Sequence, residues 1–286
     1  MKTVKDVFEQ FKIGLADVYD PQESEAIILL ILSDLLNTSK AKLKAFPETE
    51  IGFPQAEKLT SILQELKTGK PVQYILGHTE FYGLNFKVSP AVLIPRPETE
   101  ELVQWIIETV KQSESPVINI LDIGTGSGCI PISLKHNLLN INAFGIDIST
   151  DALEIAKQNA ESNKANVNFI EADILNFPGD IALPKFDIIV SNPPYVTLED
   201  KNKMHTNVTD FEPHTALFVP EDDPLIFYKV IADFAKTNLS SNGLIFFEIN
   251  ESFGTETIEL LRERSFRNIE LRQDMSGRDR MIKAQI

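Results

Sequence analysis

The spacing of apolar residues divides the chain into a helical first part and a longer part in which strands and helices alternate. From the start of the chain, apolar residues recur every three or four positions, at Val4, Val7, Phe8 and Phe11. A second stripe of this kind follows Pro21, and a third covers residues 55–66 before Gly69 and Pro71, two residue types that end helices. The pattern predicts a small bundle of helices over residues 1–80.

After residue 98, near-continuous apolar runs of strand length alternate with helical patterns. Strands are predicted at 117–123, 141–148, 167–174, 186–194 and 243–250, and helices at 130–138 and 151–163. Apolar strands covered by helices are typical of a mostly parallel α/β sheet. The last run, residues 280–286, predicts an antiparallel strand at the edge of that sheet.

Residues 81–97 contain two β-rich runs separated by Ser89 and Pro90, which predicts a β-hairpin that links the two parts. We therefore expect a helical domain over residues 1–80, a hairpin linker over 81–97 and an α/β domain over 98–286. The helical domain contains no catalytic constellation of its own. We interpret it as a scaffold or substrate-docking module.

The charge balance narrows the choice of partners. The 286 residues carry 42 acidic and 27 basic side chains, a net charge of −15, and the share of residues 81–286 is 30 acidic against 18 basic. A protein that binds duplex DNA through many phosphates needs a positive surface, so we expect no direct DNA binding. A single cysteine and the lack of a long apolar segment predict a cytoplasmic protein without disulfides or a membrane partner.

A glycine-rich segment directly follows the first strand of the α/β part and opens a helix. It runs from Asp122 through Gly124, Thr125, Gly126, Ser127 and Gly128. Glycines allow a sharp turn and the close approach of a ligand to the backbone. The spacing is G-x-G-x-G rather than the G-x-G-x-x-G of dinucleotide enzymes, which favours a cofactor without a pyrophosphate.

Acidic residues end the next two strands. Asp147 follows Gly128 by 19 positions, where a carboxylate can accept hydrogen bonds from both ribose hydroxyls of an adenosine. Asp173 ends the third strand and is expected to reach the adenine amino group, while Ile174 packs on the ring. The simpler alternatives are a helix cap for Asp147 and a solvated strand end for Asp173.

The tetrapeptide Asn192-Pro193-Pro194-Tyr195 is the most specific signal in the chain. Its two prolines remove two backbone donors and fix the backbone, which leaves rigid carbonyl acceptors. Asn192 adds a side-chain carbonyl, and Tyr195 adds a flat aromatic face. Two such acceptors would bind the two hydrogens of a planar NH₂ group.

Together these residues resemble class I S-adenosylmethionine-dependent methyltransferases that modify planar amino groups. Residues 73–77, the run FYGLNFKV and residues 93–100 are similar to the HemK-type release factor glutamine methyltransferases, over nearly the whole chain. The resemblance implies a Rossmann-like domain with a mostly parallel seven-stranded sheet, preceded by a helical bundle. Two segments depart from the family pattern, because Ile174 stands where an aromatic residue is frequent and residues 218–223 replace a glycine-rich stretch.

The resemblance also implies a reaction, which is N5-methylation of the glutamine in the Gly-Gly-Gln motif of class 1 peptide chain release factors. The cofactor would be S-adenosyl-L-methionine. Its binding residues would be Gly124, Thr125, Gly126, Ser127, Gly128, Asp147, Asp173, Ile174 and Asn192. The tetrapeptide Asn192 to Tyr195 would bind the glutamine.

Three alternatives are weighed against this interpretation. Adenine-N6 methylation of DNA uses the same kind of amino group but requires a basic surface. Glutamine methylation of a ribosomal protein differs only in the substrate, and residues 95–100 favour the release factor branch. A non-catalytic nucleoside-binding module is disfavoured by the intact tetrapeptide. Cys129 is expected to be a buried packing residue, and the four histidines lack metal-ligand spacing, so no metal site is predicted.

Overall fold

The computed structural model of the chain describes residues 1–112, 118–179, 181–201, 204 and 206–286. Its helices are α1 (Val4–Leu15), α2 (Pro21–Leu35), α3 (Lys40–Ala45), α4 (Phe53–Leu66), α5 (Val72–Leu76), α6 (Pro97–Lys111), α7 (Cys129–Asn137), α8 (Thr150–Ser162), α9 (Leu198–Lys201), α10 (Thr206–Phe211), α11 (Ile226–Asn238) and α12 (Gly254–Glu263). Its strands are β1 (His78–Phe81), β2 (Leu84–Lys87), β3 (Ile118–Ile123), β4 (Ile141–Asp147), β5 (Val167–Glu171), β6 (Phe186–Ser191), β7 (Leu239–Glu248), β8 (Arg267–Gln273) and β9 (Asp279–Gln285).

The first compact unit is helical and comprises residues 1–77 together with α10. Helix α1 begins at a capping box, in which the Thr3 side chain accepts from the Asp6 amide and the Asp6 carboxylate accepts from the Thr3 amide. Asp20 caps α2, and Pro21 occupies its first position, where a missing N–H costs nothing. The apolar stripes of α1, α2 and α4 form one buried cluster, which confirms the predicted helical bundle.

The second unit is built on a seven-stranded sheet in the order β5-β4-β3-β6-β7-β9-β8. The strands β5, β4, β3, β6 and β7 run parallel, whereas β9 is antiparallel to both of its neighbours. The mostly parallel sheet is therefore confirmed. The prediction that the last strand lies at the edge is wrong, because β8 takes that place and β9, with Ile282 and Ala284 fully buried, fills the position beside β7.

Helices cover both faces of the sheet, and the alternation of side chains along each strand serves both layers. In β3, Ile120 belongs to the cluster under α6 and α7, whereas Leu121 belongs to the cluster under α11 and α12. In β7, Phe246 and Phe247 divide in the same way. This burial on both faces explains why the strands read as continuous apolar runs in the sequence.

The hairpin before the sheet lies earlier in the chain than predicted. Strands β1 and β2 pair antiparallel over residues 78–87, and the turn is at Tyr82 and Gly83 rather than at Ser89 and Pro90. Both turn residues have positive φ, 50° and 73°, as a two-residue hairpin turn requires. Asn159 of α8 accepts a hydrogen bond from the Lys87 amide at 2.7 Å, so the hairpin packs on the α/β unit instead of forming a separate linker. Within the described residues, no helix has the length and apolar character needed to cross a membrane.

Candidate active site

A cavity of about 420 Å³ opens at the carboxyl ends of β3, β4 and β6. Ile123, Asp147 and Ser191, the last residues of these strands, all line it. Since β4 and β6 lie on opposite sides of β3, the cavity is at the point where the strand order reverses. Open α/β sheets bind ligands at this point, and the volume is within the range of sites that hold a drug-sized molecule.

Two glycines of the predicted loop form the floor of this cavity. Gly124 and Gly126 both line it, and both have left-handed backbone angles, with φ of 76° and 52°. A methyl group added at either position would meet no protein atom within 4 Å. The glycines therefore leave space that a ligand can fill against bare backbone, as predicted for a cofactor loop.

The other three loop residues lie away from the cavity. Thr125 and Ser127 are buried, and the Thr125 amide is used in a 2.9 Å hydrogen bond to the Ile146 carbonyl of β4. Gly128 begins α7 with φ of 78°, and a Cβ there would lie 2.9 Å from Ile132 Cδ1. These residues build the turn and pack the helix on the sheet, so the structure does not bring their side chains to the predicted cofactor.

Asp147 holds the loop in place from the neighbouring strand. Its Oδ2 accepts a hydrogen bond from the Gly126 amide at 2.8 Å, and its Oδ1 accepts from the Ser149 amide at 2.9 Å. Burial raises the pKa of Asp147, and the two amide donors oppose this rise. Each carboxylate oxygen retains a free lone pair toward the cavity that Asp147 lines, so the predicted ribose contact stays chemically available. Ser149, not Asp147, caps α8.

Apolar side chains flank the far end of the cavity. Ile148 and Ile174 both line it, and Ile148 is 61% exposed although it is a large apolar residue. Asp173 also lines the cavity, but its Oδ1 accepts from the Leu175 amide at 2.9 Å and its Oδ2 from Asn176 Nδ2 at 2.8 Å. Asp173 thus caps the short turn after β5, and its predicted contact with an amino group stays a prediction.

The tetrapeptide after β6 separates this cavity from a second one of about 130 Å³. Asn192 and Pro193 line both cavities, Pro194 lines only the larger one and Tyr195 only the smaller one. Small groups placed in the two cavities would therefore meet at Asn192 and Pro193.

The smaller cavity also receives residues from the segment between the hairpin and α6. Leu93 and Arg96 line it, and the Arg96 guanidinium forms an ion pair with the buried Glu212 carboxylate. The other Glu212 oxygen accepts from the Ile94 amide at 3.3 Å. These contacts fix the backbone of residues 94–96 beside the tetrapeptide.

A buried chain of hydrogen bonds runs behind the tetrapeptide. Asn192 Nδ2 donates to Thr99 Oγ1 at 3.3 Å, and the Thr99 hydroxyl donates to Glu248 Oε2 at 2.7 Å. The Tyr195 hydroxyl donates to the other Glu248 oxygen at 3.0 Å. Burial raises the pKa of Glu248, and burial together with the Glu248 charge raises the pKa of Tyr195 well above its ordinary value. The Tyr195 phenol therefore keeps its proton and is not a general base.

Asp122, at the end of β3, is the second buried carboxyl group beside the cavity. Only 1% of it is exposed, and among the described residues neither of its oxygens has a hydrogen-bond partner. Burial raises the pKa of Asp122 to about 7, and the nearby Asp147 charge adds to this rise. A buried charge without a partner is costly, so the native protein favours the protonated form.

Cys129 is not a nucleophile. It is buried, and burial raises the pKa of its thiol to about 12, which leaves negligible thiolate near neutral pH. Among the residues that the structure describes, no group of three or more His, Cys, Asp or Glu side chains could hold a metal ion.

Several residues of the site escaped the sequence analysis. Thr99, Glu248 and Ile148 carried no motif, and Thr99 and Glu248 are separated by 149 positions. One signal was present for Glu248, an acidic residue at the end of an otherwise apolar strand. For Ile148 the signal was its position directly after Asp147.

Family models match both parts of the chain. A model described as a methyltransferase domain matches residues 114–250, and one described as the PrmC N-terminal domain matches residues 7–77. The chain is also similar to solved methyltransferases, among them the T. thermophilus 16S rRNA N2 G1207 methyltransferase in complex with AdoMet and guanosine. That match has a TM-score of 0.52 and 16% identity and covers 73% of this chain and 49% of the other, so it supports the fold alone.

Curated relatives match over nearly the whole length. The release factor glutamine methyltransferase of Flavobacterium psychrophilum is 47% identical over 281 residues, which covers 98% of each chain. That of Bacteroides thetaiotaomicron is 42% identical over 272 residues and covers 95% of this chain and 96% of the relative.

Proposed function

Because the chain belongs to the release factor glutamine methyltransferase family, we propose that it methylates the side-chain nitrogen N5 of the glutamine in the Gly-Gly-Gln motif of class 1 peptide chain release factors. The methyl donor is S-adenosyl-L-methionine. The observation that carries the proposal within the fold is the position of Asn192 and Pro193, which line both a cofactor-sized cavity and a smaller one.

The residues around the larger cavity fit this donor. Gly124 and Gly126 leave bare backbone where a side chain would occupy the space of a ligand. Asp147 offers two carboxylate oxygens for the ribose hydroxyls, and Ile148 and Ile174 offer apolar surface for the adenine. The bound donor supplies a methyl group already activated by a positively charged sulfur.

The task of the protein is then to align the glutamine nitrogen with that methyl group. An amide nitrogen is a poor nucleophile because its lone pair is delocalised into the carbonyl. Holding two reactants in attack geometry can lower a barrier by about 7–11 kcal/mol in favourable intramolecular cases. In this proposal, the Asn192 Oδ1 atom and the Pro193 carbonyl accept the two amide hydrogens. They also stabilise the positive charge that grows on the nitrogen during attack.

No general base is needed before the transfer. The methylated amide nitrogen is acidic enough to lose its proton to water afterwards. The Tyr195 hydroxyl, which donates to Glu248, stays protonated throughout. Pro194 and Tyr195 shape the segment that carries the two acceptors.

We further propose that the helical unit docks the release factor and that the enzyme acts in the cytoplasm. The helical unit has the large apolar side chains Ile13, Phe46 and Phe53 at 81%, 59% and 75% exposure, which suits a protein contact. Phe53→Ser should raise KM for the release factor and leave kcat unchanged. A single buried cysteine suits a reducing compartment.

The test is incubation of the purified protein with methyl-labelled S-adenosylmethionine and a recombinant release factor. Mass spectrometry should place one methyl group on the glutamine of the Gly-Gly-Gln motif. A release factor with that glutamine changed to asparagine is the matched control and should stay unlabelled. Labelling of a ribosomal protein or of duplex DNA in parallel reactions, with the release factor unlabelled, would overturn the proposal.

A variant separates binding from transfer. Asn192→Ala removes one acceptor and should lower kcat by about 100- to 1,000-fold, the typical cost of deleting one such preorganised group. Its dissociation constant for S-adenosylmethionine should stay close to that of the wild type. Equal losses in both quantities would contradict the role given to Asn192.

A further inference from the structure

The buried Glu248 carboxylate connects two parts of the proposed site. Glu248 ends β7 and is 1% exposed. Its two oxygens accept from two different hydroxyl groups, those of Thr99 at 2.7 Å and Tyr195 at 3.0 Å. Thr99 lies in the first turn of α6 and is 3% exposed, so water does not compete for its hydroxyl.

This arrangement gives the hydrogen bonds a direction. A hydroxyl has one proton, and the Thr99 proton is used on Glu248. Toward Asn192, Thr99 Oγ1 can therefore only accept, and it accepts from Asn192 Nδ2 at 3.3 Å. A side-chain amide whose nitrogen faces Thr99 must turn its oxygen to the opposite side. Among the described residues, Asn192 Oδ1 accepts no hydrogen bond, and Asn192 lines both cavities.

We propose that Thr99 and Glu248 are positioning residues that fix the orientation of the Asn192 carboxamide and thereby select a glutamine side chain over a glutamate. The inference rests on the proposed function. With Oδ1 facing the substrate, Asn192 accepts from an amide NH₂ and repels a carboxylate. With the carboxamide turned over, Nδ2 would face the substrate, repel the NH₂ group and attract a carboxylate.

A purely structural role would not require this chemistry. Burying a carboxylate is costly, and replacing buried charged groups with well-packed apolar residues is often neutral or stabilising. The energetic cost of Glu248 is explained if its acceptor-only oxygens determine which end of Asn192 faces the substrate.

The decisive variant is Thr99→Val, which keeps the side-chain shape and removes the acceptor of Asn192. We expect kcat to fall by up to about 100-fold, the scale of a misplaced reacting group. Affinity for S-adenosylmethionine should not change. A release factor whose Gly-Gly-Gln glutamine is changed to glutamate should gain affinity, as a competitive inhibitor, relative to the glutamine form. Thr99→Ser restores the hydroxyl and should recover most of the rate.

A matched control is Thr257→Val in α12, which deletes another buried threonine hydroxyl, bonded only to the Phe253 carbonyl at 2.7 Å. It should leave kcat and the preference for glutamine unchanged. Wild-type enzyme that fails to methylate the glutamine would overturn the proposed function itself. Active wild type together with unchanged kcat and unchanged glutamine preference in Thr99→Val would overturn only the positioning role.

A second variant guards against misfolding of the first. In Glu248→Gln the new NH₂ group must face one of the two hydroxyls, which disturbs the direction of the chain while the volume is kept. We expect the same loss of glutamine preference in this variant. A folded Glu248→Gln enzyme with wild-type preference would refute the inference, whatever the behaviour of Thr99→Val.

Discussion

The unpartnered Asp122 should make the stability of the α/β unit depend on pH, and Asp122→Asn should remove that dependence. A buried carboxyl group with a raised pKa holds its proton in the folded state after the unfolded chain has lost it. Unfolding then releases a proton, so stability falls as the pH rises. The contribution is complete below the ordinary pKa of 3.8, is lost progressively up to about 7 and is absent above that value.

The size of this effect follows from the two pKa values. The interval between 3.8 and about 7 corresponds to about 4 kcal/mol of unfolding free energy. Roughly 3 kcal/mol of it falls between pH 5 and pH 8. Asparagine has nearly the same shape and does not titrate. The stability of Asp122→Asn relative to the wild type should therefore increase by about 3 kcal/mol over that range.

The chain contains a single tryptophan, Trp105, which makes the measurement simple. Trp105 is 2% exposed in α6 and packs edge-on against Phe246 of β7, so its fluorescence reports on the α/β unit. Urea unfolding of both proteins at several pH values gives the free-energy difference at each. Glu259→Gln, an exposed change on α12, is the control. A wild-type and Asp122→Asn difference that stays constant from pH 5 to pH 8 would refute the reasoning.

Three further predictions follow from the same region. Gly128→Ala should destabilise the protein by about 2–5 kcal/mol in urea unfolding, from a left-handed φ and from overlap with the packed helix, whereas Gly124→Ala should chiefly weaken S-adenosylmethionine binding in calorimetry; the reverse order would contradict the roles of the two glycines. Cys129, with a thiol pKa of about 12, should resist alkylation in the native protein and react after unfolding; rapid native labelling would contradict its burial. Asn159→Ala should cost roughly 3 kcal/mol, because Asn159 makes three buried hydrogen bonds to Lys87 and Ser127 backbone atoms; an unchanged urea midpoint would contradict this.

The fold was predictable because its signals are local. Apolar runs of strand length, helical periodicity and the residues that end helices all lie within a few positions of one another, and they identified both units. The errors concern pairing. The sequence between 78 and 97 contains two plausible turns, and the choice of Tyr82 and Gly83 depends on positive backbone angles that no pattern of polarity encodes. The edge position of β8 depends on partners far along the chain.

The site divides along the same line. The glycine loop, Asp147 and the tetrapeptide are compact motifs, and the structure brings Gly124, Gly126, Asp147, Asn192 and Pro193 to the larger cavity. The motif could not reveal that its glycines serve different purposes, since open space and tight packing both require the absence of a side chain. Thr99 and Glu248 were not predicted because their contact exists only after the sheet forms.

The separation of Thr99 and Glu248 also sets a time order for synthesis. The strand that carries Glu248 leaves the ribosome long after α6, at about 5–20 residues per second, so a nascent chain can complete β3 to β6 several seconds before Asn192 acquires its orientation. A translation product that ends before β7 would keep the glycine loop, Asp147 and the tetrapeptide but lack the anchor behind Asn192. Acquisition of substrate selectivity is therefore a late event in the maturation of this chain.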